Sequence, residues 1–151
     1  MANTSNVRVL WYDPAFAVSV PSHATTSRVV AIGDFVTLES NVFDVMDAVG
    51  DDSLFAGIAI SANASGDLNA VTVASVCKIR VAVASASYGL YDGLKYSLGD
   101  NGTDWVLIAD GGANTIAWSM QETGTVTTLD VLIHVPLLAI NSGKLFTTPT
   151  T

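Results

Sequence analysis

The feature that most limits the fold of this chain is its punctuation. Pairs of Gly with Asp or Asn recur between short apolar runs: Gly33-Asp34, Gly50-Asp51, Gly66-Asp67, Asp92-Gly93, Gly99-Asp100, Asn101-Gly102 and Asp110-Gly111-Gly112. Such pairs supply the positive φ angles that tight hairpin turns need. The runs between them are Val29 to Ile32, Phe35 to Glu39, Leu54 to Ala62, Ala70 to Ala84, Trp105 to Ala109, Thr115 to Met120 and Thr125 to Val135. They are short and rich in β-branched residues. Ile79, Val81 and Val83 alternate with other residues, as do Leu129, Val131, Ile133 and Val135; Asp130 and His134 face the other way. Phe35 and Thr37 share one face, Val36 and Leu38 the other. That period of two is the signature of strands with one buried face. Gly57 inside its run predicts a bulge or bend. Short strands split by turns predict an all-β fold, either a small β-barrel or β-tulip or a sandwich of short antiparallel strands. One two-turn helix is expected at Val42 to Val49, where Val42, Val45, Met46 and Val49 fall at helical spacing behind Asn41 as a cap; an irregular loop is the alternative.

The two ends read differently. Residues 1–27 mix Trp11, Tyr12 and Phe16 with Pro14, Pro21 and a Ser/Thr-rich patch. The prolines disfavour a continuous helix and favour extended backbone. We therefore expect an extended N-terminal arm over 1–27, a β domain over 28–137, and a polar C-terminal tail over 138–151. Large aromatics in an arm are candidate anchors at a protein interface, so Trp11, Tyr12 and Phe16 are the candidate contact residues. Packing of the arm on its own domain is the alternative.

Charge sets the next limit. Half of the chain is hydrophobic and only 13% is charged, against roughly 25% in ordinary soluble domains. Either Ser, Thr, Asn and Gly cover the surface, or other subunits cover part of it. The net charge is −8, with only six Lys plus Arg. Arg8, Arg28, Lys78, Arg80, Lys95 and Lys144 are scattered, and only Lys78 and Arg80 lie close, on one strand face that reads as solvated. Nucleic-acid binding needs clustered cations, so DNA and RNA partners are disfavoured, as is an anionic membrane. The longest apolar stretch, Val131 to Ile140, is broken by His134 and Pro136 and falls short of the ~20 residues a bilayer-spanning helix needs. The first residues, Met1-Ala-Asn-Thr-Ser-Asn6, lack the basic start and apolar run of a signal peptide.

No constellation for catalysis emerges. His23 and His134 with the single Cys77 give no zinc-ligand spacing. Cys77 reads as a small buried hydrophobe rather than a reactive thiol. No G-x-S-x-G elbow marks a serine nucleophile. Asp100-Asn-Gly-Thr-Asp104 resembles half of a calcium loop, but residue 102 is Gly, and Gly111 stands where the twelfth-position acid belongs. Asp44, Asp47, Asp51 and Asp52 read as a solvated face. Gly111-Gly112 precedes a strand rather than a helix, so it is no phosphate loop. Trp105 and Trp118 lie in strands and read as core or barrel-mouth residues. We expect no enzyme activity, no cofactor and no metal.

One resemblance covers residues 28–136. Gly33-Asp-Phe-Val-Thr-Leu-Glu39, Phe55-Ala-Gly-Ile-Ala59, Gly93-Leu-Lys-Tyr-Ser97, Asn114-Thr-Ile-Ala-Trp-Ser119 and Thr128-Leu-Asp-Val-Leu-Ile133 together resemble the small all-β decoration, or cement, proteins of tailed-bacteriophage capsids. The resemblance implies a barrel or tulip-like domain that trimerises on the outer surface of the head. It implies the major capsid protein as partner, and terminal arms that make the capsid contacts. Two other readings remain open. One is a phage tail, fibre or head-fibre component. The other is a carbohydrate-binding β-sandwich, whose groove would need exposed aromatics such as Tyr88, Tyr91, Tyr96 or Trp105.

Overall fold

A computed structural model of the chain describes residues 7–21, 29–39, 42–46, 55–63, 70–98, 105–110 and 115–135. Most of these residues lie in eleven strands: β1 (Arg8–Tyr12), β2 (Ala17–Pro21), β3 (Phe35–Glu39), β4 (Val42–Val45), β5 (Phe55–Ala59), β6 (Ala70–Ala74), β7 (Val76–Ala86), β8 (Gly93–Leu98), β9 (Trp105–Ala109), β10 (Ala117–Ser119) and β11 (Val126–His134). The fold is all-β, as the turn pattern implies. Among the described residues the one helical element is a 3-10 turn, Pro14–Phe16, capped by Asp13, whose side chain accepts from the Ala15 amide.

The strands form two sheets. The larger runs β1-β7-β11-β10-β8-β9, and β9 returns to β7 through a parallel pairing at Val83 and Leu107. Strands β7, β11, β10, β8 and β9 therefore close a five-stranded barrel. β11 occupies one edge of β7 from Val76 to Ala86. The other edge is shared: β1 takes Cys77 to Arg80, and β9 meets Val83. The smaller sheet runs β2-β6-β5-β3-β4, entirely antiparallel.

The alternation read from sequence sets the barrel interior. Ile79, Val81, Val83, Leu129, Val131 and Ile133 are all buried. One continuous core joins the sheets. Phe35 of the smaller sheet is its joint: its ring centroid lies 5.6 Å from that of Phe55 and 5.5 Å from that of Tyr96 in the barrel. The Tyr96 hydroxyl donates to the Met46 carbonyl at 2.9 Å, so a buried polar group is satisfied across the same junction.

Several expectations change. Val42–Val45 is a strand, not a helix. Hairpin pairing of Phe43 with Leu38 and Val45 with Val36 buries those side chains in the core, which outweighs a helical spacing only two turns long. Asp44 is buried rather than solvated, and its carboxylate accepts from the Val45 amide. β3 is buried on both faces, so its alternation marks no solvent side. The bulge predicted at Gly57 is present: register slips where Val36 faces Gly57 and Thr37 faces Phe55.

The described part of the N-terminal arm packs on its own domain, the alternative stated above. Its backbone is extended, but it does not lie outside the strand pattern. β1 pairs with β7 and β2 with β6, so residues 8–21 run antiparallel to 70–80 across both sheets. The two chains bend together. Ser75, the break between β6 and β7, donates from its amide at 3.0 Å and its hydroxyl at 2.9 Å to the Phe16 carbonyl. The Asp13 amide donates to the Val76 carbonyl, and the Ser75 carbonyl accepts from Val135. The C-terminal tail lies outside the described residues.

Candidate functional site

The candidate contact residues come together on the edge of the larger sheet. Trp11 and Tyr12 end β1, and Phe16 closes the 3-10 turn that follows. They are 52%, 38% and 39% exposed, and Leu10, at the bulge in β1, is 36% exposed. Trp11 faces Lys78 and Tyr12 faces the buried Cys77, so the two project from opposite sides of the outermost strand, and with Phe16 in the turn after it they make an apolar strip along the sheet edge. Its backbone is held by β7 and by the Ser75–Phe16 bonds, so the strip is fixed in place rather than trailing.

Next to it lies a face of which sequence spacing disclosed only Lys78 and Arg80. Register places Arg8 opposite Arg80 and Arg80 opposite Asp130. It places Trp11 opposite Lys78, Lys78 opposite Leu132, and Leu132 opposite Trp118. Residues opposed in an antiparallel pair project from the same side of the sheet. Ile79 and Val131, between these rows, are buried, so both rows lie on the outer face. Arg80 Nε donates to Asp130 Oδ1 at 2.7 Å and Nη2 to Oδ2 at 3.2 Å. That hydrogen-bonded carboxylate holds the Arg80 guanidinium even more firmly protonated than usual.

A third feature is the turn after β7. The Asp92 amide donates to the Gly89 carbonyl, and the Asp92 carboxylate accepts from the Gly89 amide at 2.7 Å. Tyr91, third in that turn, has φ +66. Its amide donates to the Ser119 carbonyl, while the Ser119 amide donates to the Asp92 carbonyl. Two residues thus face one, the pattern of a bulge whose first residue is ordinarily Gly. A tyrosine in the left-handed region costs about 1–2 kcal/mol. Burial does not offset this, because Tyr91 is 66% exposed and Leu90 beside it is 50% exposed.

Other sequence candidates separate. Tyr88 and Tyr96 are core residues; Tyr88 donates its hydroxyl to the Ala84 carbonyl, and burial pushes its pKa up. Of the aromatics offered for a carbohydrate groove, Tyr88 and Tyr96 are thus withdrawn from the surface, while Tyr91 is exposed. Cys77 is buried at the base of β7, and burial pushes its thiol up to about 12. Trp118 is half-buried on the barrel's outer face, and His134 is exposed at the end of β11. His23, the Asp100 to Asp104 segment and Asp47, Asp51 and Asp52 lie outside the described residues, as does the side chain of Trp105. Among the described residues, no three of His, Cys, Asp and Glu gather where they could hold a metal ion, and no helix is long and apolar enough to cross a membrane.

The architecture is that of an all-β protein of two sheets. No family model and no curated protein matches the chain. Among solved structures it is similar to the head fiber gp8.5 N base of bacteriophage phi29. The two share 17% identity, with a TM-score of 0.47, over 78% of this chain and 93% of that one. So distant a likeness carries neither function nor detailed topology.

Proposed function

We propose that this protein is a structural component of a phage virion, a decoration protein that binds the outer surface of the head as a homotrimer and stabilises the lattice of the major capsid protein. The observation that carries the reading is the fixed apolar edge of an all-β frame, formed by Leu10, Trp11 and Tyr12 of the outermost strand and by Phe16 of the turn after it. It agrees with the resemblance of residues 28–136 to capsid decoration proteins and with the shortage of charge. A partner that binds only the assembled lattice stabilises it by mass action, by about 2.7 kcal/mol per site at 100 times Kd. No catalytic step enters this role.

The test is immunogold labelling of virions that carry the protein, together with sedimentation of purified protein with emptied heads. Label spread over the shell, and co-sedimentation weakened by the double change Tyr12→Ser, Phe16→Ser, are the expected results. Label on tails alone, or no binding to heads, overturns the proposal. Label confined to projections from the head would replace the decoration role with that of a head-fibre base.

A further inference from the structure

Two surfaces described above have opposite character. The outer face of β1 and β7 carries Arg8, Lys78 and Arg80, three of the six Lys plus Arg in a chain of net charge −8. Asp130 neutralises Arg80, whereas Arg8 and Lys78 make no ion pair among the described residues. Trp11 lies beside Lys78 on the same face as an exposed apolar anchor. The turn at Leu90 and Tyr91 is the reverse: two exposed apolar side chains flanked by exposed Asp92 and by exposed Glu122. The loop carrying Glu122 is tied to this turn, because Thr123 donates its amide to the Tyr88 carbonyl and its hydroxyl oxygen accepts from the Tyr88 amide.

Within one copy these surfaces cannot meet. The path from β1 to the turn crosses β7, β11 and β10 to the start of β8. Along the row from Tyr91 through Ser119, Val131 and Ile79 to Val9, it is four strand spacings, about 19 Å. Each surface lacks what the other presents. A tyrosine held exposed at a glycine position also points to a contact made outside the fold.

We infer that copies of this chain bind one another head to tail, the Leu90–Tyr91 turn of one docking on the Arg8–Trp11–Lys78 face of the next, with Asp92 and Glu122 opposite the cations. Because two different patches meet, the contact is heterologous: it closes into a ring or continues as an open chain. It deepens the homotrimer of the preceding proposal by naming its interface, since three such contacts close a ring of three. The interface itself does not depend on a capsid partner.

The test uses the full chain in sedimentation velocity and mass photometry over a range of concentrations and salt. Wild type is expected to self-associate, less so at high salt. Tyr91→Gly should abolish association yet raise the urea midpoint, because glycine accepts the turn's backbone. Trp11→Ser with Lys78→Glu should also abolish it, each variant losing about tenfold or more in affinity. Mixing the two variants is the decisive arm: each retains one intact patch, so the mixture should form a heterodimer that grows no further. Wild type that stays monomeric, or association that survives both variants, overturns the inference. Failure of head binding with the heterodimer still formed would sink the capsid reading alone.

Discussion

Gly57→Ala should unfold this protein's smaller sheet from its centre. Gly57 has φ +143, and a Cβ built there falls 2.2 Å from the Ala74 carbonyl oxygen and 2.8 Å from its carbon. Backbone in that region costs a non-glycine residue about 1–3 kcal/mol. The overlap adds to this. A carbon and an oxygen need roughly 3.2 Å, so β5 and β6 must part by about 1 Å at the point where Ile58 pairs with Ala74. Forcing extra volume into a packed core costs about 1–3 kcal/mol. Together these give a loss of about 4 kcal/mol. The entropic gain from replacing Gly in the unfolded chain, about 0.4–1 kcal/mol, is too small to reverse it. Against a total stability of about 5–15 kcal/mol, the loss of about 4 kcal/mol is a quarter or more. Equilibrium urea unfolding followed by tryptophan fluorescence should show the midpoint falling by about 2 M for a slope near 2 kcal/mol/M. Gly124→Ala is the control: nothing lies within 4 Å of its Cβ position, and it should stay within about 0.5 kcal/mol of wild type. A Gly57→Ala midpoint equal to that control would refute the close approach of β5 to β6.

Two further predictions concern the core. Phe35→Ala, which removes the ring between Phe55 and Tyr96, should cost about 3–5 kcal/mol in the same assay. A loss under about 1 kcal/mol would mean the sheets do not share that joint. Cys77 should resist thiol reagents at pH 8 in native protein and react freely in urea. Its pKa is raised on folding from about 9 to about 12, so its contribution is fully present below the unfolded value and is lost as pH climbs through the interval, by about 4 kcal/mol in all. Cys77→Ala should lack that part of the alkaline decline; an unchanged pH profile would place the thiol in contact with water.

How much of this was legible in the sequence depended on distance along the chain. Turn pairs and the alternation of Ile79 to Val83 and Leu129 to Ile133 are local signals, and the structure follows them. The Gly57 bulge is also local. The strand at Val42–Val45 was misread because its partner, not its own spacing, decides its form. The arm's partners were illegible for the same reason: nothing in residues 8–21 announces that they stand at 70–80. Arg8 looked isolated until register set it opposite Arg80. Tyr91 carried no signal at all, since tyrosine is not a residue that sequence rules expect at positive φ. That cations lie beside Trp11 was not legible either.

The bend at Ser75 has a mechanical consequence. A lone strand passing from one sheet to another is a hinge, free to flex at its kink. Here two antiparallel chains pass through the same kink, and Ser75 grips Phe16 with two hydrogen bonds at its apex. That doubled crease acts as a gusset. Twisting one sheet against the other would have to break both chains' contacts at once, so a torque applied to either sheet is felt by the whole body.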